Sequence, residues 1–148
     1  MGVRPTPICA RCKRDHRDLI HMLWRCPKLH TCWAGVTDTL NTVFQVSIPL
    51  DPKQSLLNLL DDLEWEPHTR EAITRALFMA RKLIMLHWIS EEPPTVREWI
   101  TALGNTLRME KVIYQHRGCS GKFERLWDLW LGTPGLAPND LVMDRLLG

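Results

Sequence analysis

Apolar positions in this chain recur every three to four residues over most of its length. In "LHTCWAGVTDTLNTVF", Trp33, Val36, Leu40, Val43 and Phe44 share one stripe. That is the period of a helix with one buried face. The longest pattern is "EPHTREAITRALFMARKLIMLHWIS". Ile73, Ala76, Leu77, Ala80, Leu83, Ile84, His87 and Trp88 repeat along it, with Arg70, Glu71, Thr74, Arg75, Arg81 and Lys82 largely between them. It predicts a helix of about 23 residues. "PPTVREWITALGNTLRMEKVIYQH" predicts another, with Val96, Trp99, Ile100, Leu103 and Leu107 as its stripe. Thr95 and Glu98 form a capping-box signature at its start. "GKFERLWDLWLG" adds a short amphipathic helix through Phe123, Leu126, Trp127 and Trp130.

The remaining segments carry weaker signals. Asp51 and Pro52 predict an N-cap and first turn, and the leucine spacing in "LLNLLDDLEWE" predicts helix as far as Asp61-Asp62. From Gly132 the chain reads as loop, then a weak helix over about 139–146. Only "QVSIPL" looks extended, and it is too short to build a sheet. The fold class predicted is all-α: a small N-terminal zinc-knuckle-like module over 1–27, a helical bundle over 28–131, then the loop and weak helix over 132–148.

At 148 residues the chain is long enough to bury a core of its own. Its seven Trp and 45% hydrophobic content supply one. No apolar run reaches the roughly 18–20 residues of a membrane span. "MGVRPTPI" lacks the apolar region of a signal peptide. The chain is therefore expected to be intracellular, in cytoplasm or nucleus, without a membrane partner. Met1-Gly2 hints at myristoylation, but Thr6 with proline on both sides argues against it. In a reducing compartment Cys9, Cys12, Cys26, Cys32 and Cys119 are thiols or metal ligands rather than disulfides.

Charge changes the picture. The net +2 divides unevenly. Residues 1–30 hold seven Lys/Arg, namely Arg4, Arg11, Lys13, Arg14, Arg17, Arg25 and Lys28, against Asp15 and Asp18, a net of +5. Residues 31–148 hold 12 Lys/Arg against 15 Asp/Glu, a net of −3. The positive charge thus sits on "CARCKRDHRDLIHMLWRC". Cys9 and Cys12 form a C-x2-C pair, and His21 and Cys26 an H-x4-C pair. Four S and N donors are what a closed structural zinc site takes. On an ideal helix residues five apart are ~140° apart in projection. His21 and Cys26 can therefore share an ion only if the helix unwinds or ends between them. Pro27 supplies a cause, because it drives the preceding residue out of the α region. His16, His30 and Cys32 are alternative ligands. A redox C-x-x-C lacks a surrounding βαβ pattern. Arg11, Lys13, Arg14, Arg17, Arg25 and Lys28 are the candidate phosphate contacts. Trp24 and Trp33 either stack on bases or lie in the core, the commoner fate of Trp.

The cluster followed by "CPKLHTCWAGV", then "ARKLIMLHWISEEPPTVREWI", then "EKVIYQHRGCSGKFERLWDLWL" resembles a known family. It is similar to the C-terminal segment of LINE-type non-LTR retrotransposon polyproteins, downstream of the reverse transcriptase, from about residue 3 to residue 131. The resemblance implies one structural zinc held by Cys9, Cys12, His21 and Cys26. It also implies a module that helps hold RNA or DNA during target-primed reverse transcription. The polymerase and endonuclease motifs are missing. Leu59 stands where the polymerase signature needs an aromatic before Asp-Asp, so no catalytic role is expected. Met1 then reads as an internal methionine of a longer polyprotein. The alternative is a helical interaction module that docks on an upstream polyprotein domain or another copy, with zinc only as a clip. Elsewhere, His87 reads as a hydrogen-bonded core histidine, Cys119 as a spare thiol, and Arg70, Arg75, Arg81 and Lys82 as a solvated face.

Overall fold

Four long helices form where the apolar stripes predict them. In the computed structural model, residues 7–61 and 63–141 are described. The expectations placed on Met1-Gly2, on Arg4, on Asp62 and on the weak helix beyond residue 141 lie outside them. The helices are α1 (His30–Phe44), the single turn α2 (Pro52–Ser55), α3 (Pro67–Leu86), α4 (Val96–His116) and α5 (Ser120–Leu131). A π-helical turn, His21–Arg25, and a 3-10 turn, Pro27–Leu29, precede them. Among the described residues there is no strand, only an isolated antiparallel bridge between Ile8 and His16. No helix of the described residues is long and apolar enough to cross a membrane. The chain is all-α.

Helices α1, α3, α4 and α5 pack mutually, and the π-turn packs against α3. The predicted stripe of α1 is buried in full, from Trp33 to Phe44. Ile73, Ala76, Leu77, Ala80 and Ile84 of α3 face Trp99, Leu103 and Leu107 of α4 and the Phe123, Leu126, Trp127 and Trp130 stripe of α5 in one cluster. Burying each such side chain is worth about 1.5–3 kcal/mol. The Trp99 indole N–H donates to the Ala76 carbonyl at 2.9 Å, tying α4 to α3. Trp99 meets Trp130 edge-on with centroids 5.6 Å apart. Helix α4 starts as predicted, with the Thr95 hydroxyl accepting from the Glu98 N–H at 3.0 Å. The Glu98 carboxylate turns to His87 Nε2 instead, at 3.2 Å.

Two expectations change. The leucine run after Pro52 is not helical beyond Ser55. Asp51 caps the turn through Lys53 N–H, but Asn58 takes φ 54 in the left-handed region and turns the chain away. Leu57 and Leu59 are exposed, and Asp61 lies in a turn. The arginines of α3 are also not a free face, although Lys82 is exposed as expected. Arg70 donates to the Leu63 carbonyl, and Arg81 to the Ser55 carbonyl and Asn58 Oδ1. Arg75 donates to Glu71, Glu110 and the Tyr114 hydroxyl. These guanidiniums bind the elements together.

Candidate metal centre

The centre starts from a tight turn. The Lys13 N–H bonds to the Cys9 carbonyl, the Cys9 N–H to the Asp15 carbonyl and the Arg17 N–H to the Pro7 carbonyl, folding residues 7–17 back on themselves. Lys13 adopts φ 58, a left-handed conformation that costs a non-glycine residue about 1–2 kcal/mol. The turn projects both sulfurs of the C-x2-C pair to one side.

The second half is solved by the π-turn. Asp18 Oδ1 accepts from the His21 N–H at 2.8 Å, capping the helical turn. The Cys26 N–H then bonds to the His21 carbonyl, five residues back. This i→i+5 spacing brings the two residues nearly one turn apart. Cys26 has ψ 125, outside the α region, directly before Pro27. The predicted break is thus a widened turn followed by an exit.

Four ligand atoms converge, from Cys9, Cys12, His21 and Cys26, all within 4.8 Å of one another. Cys9 Sγ and Cys26 Sγ are 3.8 Å apart, and Cys12 Sγ and His21 Nε2 are 3.4 Å apart. A zinc tetrahedron with Zn–S of about 2.3 Å and Zn–N of about 2.0–2.1 Å needs edges of about 3.8 Å and about 3.6 Å. The donor set and its spacing fit one such ion. His16, His30 and Cys32 are not part of the cluster. His21 Nδ1 points to Asp15 Oδ2 at 4.0 Å, leaving Nε2 to face the sulfurs. Asp15 thus places a carboxylate on the side of the ring away from the sulfurs.

The thiols are electrostatically unequal. Burial alone would raise Cys9. The backbone N–H groups of Cys12 and Arg11 and the side chains of His21 and Arg11 outweigh it and bring Cys9 down to about 6. Burial pushes Cys26 up to about 11, with the Lys28 backbone N–H opposing and Cys9 beside it adding to the push. Burial also lifts Cys32 to about 11.

Around the centre, Lys13, Arg14, Arg25 and Lys28 are exposed and Arg17 is half-buried. Lys13 has one loose ion pair, to Glu91 at 3.8 Å. Arg11 is different. It is only 3% exposed, with Nη2 donating to the Met22 carbonyl. Its expected role as a phosphate contact does not survive, because its side chain turns inward. Trp33 is buried, its indole N–H held by the Leu23 carbonyl at 2.8 Å. Trp24 lies half-buried over it, ring centroids 5.3 Å apart. Asp15 and Asp18 join the site without being ligands. An Asp three residues before a helical His is a cap signal that marks Asp18. Nothing local marks Asp15.

Comparison with known proteins finds no matching family model, no similar curated protein and no similar solved structure.

Proposed function

We propose that this chain is a non-catalytic, zinc-dependent nucleic-acid-binding module, part of a LINE-type retrotransposon polyprotein. One observation carries the reading: a Cys3His cluster with two edges near those of a zinc site lies inside the most basic segment of the chain, with Lys13, Arg14, Arg25 and Lys28 exposed around it. The ion staples a segment too small to fold on its own core, and the staple presents the cations. Asp15 and Asp18, the only acids of the first 30 residues, are turned to His21. Trp24 offers a half-buried aromatic face at a groove of about 380 Å³ shared with His30 and Leu50. That favours unpaired RNA or DNA over duplex.

The expected stoichiometry is one zinc per chain, lost in Cys9→Ser, Cys12→Ser or Cys26→Ser and kept in Cys119→Ser. Titration with single-stranded RNA and DNA should show weak binding whose log–log salt slope is on the order of −2 to −4. Replacing Lys13, Arg14, Arg25 and Lys28 by Ser should flatten the slope. A second reading, the helical interaction module, is favoured by the stripe of Met109, Val112 and Ile113 on α4, exposed at 68%, 64% and 44%. Intact zinc with no binding at low salt would transfer the function to that face.

A further inference from the structure

Arg11 sits between the residues of the C-x2-C pair, and its placement is unusual for an arginine. A guanidinium stays protonated and carries five N–H donors. Here it is 3% exposed. Nη2 donates to the Met22 carbonyl and lies 3.5 Å from the Met22 sulfur. Nε and Nη1 are buried with no hydrogen-bond partner. Among the described residues no carboxylate pairs with Arg11. A buried charge without a counter-charge is strongly unfavourable, so its surroundings have to supply an anion. Three thiolates and a neutral imidazole around a divalent ion leave one net negative charge, on ligands that include Cys12 and His21, the chain neighbours of Arg11 and of its partner Met22.

We propose that Arg11 is the buried counter-ion of the metal centre, neutralising the excess negative charge of a Cys3His site loaded with zinc. The proposal rests on the metal-centre reading. It explains why a guanidinium without a carboxylate is tolerated here: the loaded centre supplies the opposite charge. It also explains why this cation, alone of those flanking the cysteines, is withdrawn from solvent. Arg11 is a positioning residue: it touches no substrate and acts through the ligands.

A double-mutant cycle on the full chain separates this role from a purely structural one. Cys12→His converts the site to two sulfurs and two imidazoles, whose zinc complex is neutral and needs no counter-ion. Zinc affinity is read by competition with a chromophoric chelator, and the number of sulfur ligands by the charge-transfer bands of the cobalt-substituted protein. Arg11→Met should weaken zinc binding by about tenfold or more in the native ligand set. It should weaken it clearly less in the Cys12→His background. Arg11→Lys, which keeps the charge, should recover part of the loss. Equal losses in both backgrounds, native affinity in Arg11→Met, or failure of Arg11→Met to fold in either background under excess zinc would each overturn the proposal, since each makes Arg11 a clamp on Met22 or nothing. A wild-type chain that takes up no zinc is a different failure. It removes the metal-centre reading, and the counter-ion role falls with it.

Discussion

Which sulfurs hold protons decides how the centre takes up its ion. Cys9, at about 6, is already a thiolate at neutral pH, whereas Cys26, at about 11, is not. The two share a short edge of the cluster, 3.8 Å, so the charge on one holds the proton on the other. Zinc needs both as thiolates. At neutral pH, binding must expel the Cys26 proton, and below about pH 6 it must expel the Cys9 proton as well. Protons therefore compete more strongly as pH falls. Apparent zinc affinity should drop with falling pH, and the drop should steepen below about 6. Chelator competition from about pH 5 to 8 checks this; a flat profile contradicts it. The four clustered residues were legible in the spacing, because C-x2-C and H-x4-C leave few other tetrahedra in a chain with five cysteines. Arg11 was not. Residues 11 to 14 all read as cations or cysteine, and a linear charge count cannot tell which side chain folds inward. That depends on the Met22 carbonyl, which the π-turn delivers from eleven residues away.

Helices were legible where polar residues interrupt the apolar ones at the right interval. The α1 and α5 stripes are buried as read, and so are Trp99, Leu103 and Leu107 of α4, with Val96 and Ile100 only half-buried, because Thr, Asn, Glu and Lys fill the other faces. The segment after Pro52 misled for the opposite reason. Leu56, Leu57, Leu59 and Leu60 stand nearly contiguous, so they fit a helix without requiring one, and the left-handed Asn58 decides. The π-turn was legible only as a contradiction: two ligands that an α-helix keeps apart. Its hydrogen bond is a tertiary answer to that conflict. The close approach of α1 and α4 left no trace in the periodicity beyond a glycine inside a helical pattern. A Cβ on Gly35 would run into Val96 Cγ2. Val96 is β-branched and stiff, so it has little room to yield. Gly35→Ala should lose about 1–3 kcal/mol by overpacking, despite its better helix propensity. Denaturant melts of the zinc-loaded protein measure it; a stabilised variant would show that the two helices can slide apart at no cost.

On the proposed reading the whole molecule joins a metal-dependent part to a part held by burial, and the seam between them is specific. Met22, Cys26 and Leu29 lie in the same buried cluster as α1 and α3. The Trp33 indole N–H of α1 is held by the Leu23 carbonyl of the π-turn. On the far side, α3, α4 and α5 carry their own packing. Trp99 is locked to Ala76, Trp127 donates to Glu110 at 2.9 Å, and Arg75 reaches the same carboxylate. Among the described residues up to Leu29, the fully buried apolar side chains other than the cysteines are Met22 and Leu29, too few to offset the chain entropy of some 20 residues without the ion. A strong chelator should therefore abolish hydrogen-exchange protection over residues 9–29. It should also loosen the first turns of α1, because the Trp33 indole loses its acceptor. Helical circular dichroism from α3, α4 and α5 should remain, with a lower Tm because Met22 and Leu29 leave that shared core exposed. If the entire chain melts together on losing zinc, the seam is stronger than the division and the molecule is one cooperative unit. If protection over residues 9–29 does not change, these four ligands hold no ion, and the basic segment keeps its shape by packing alone.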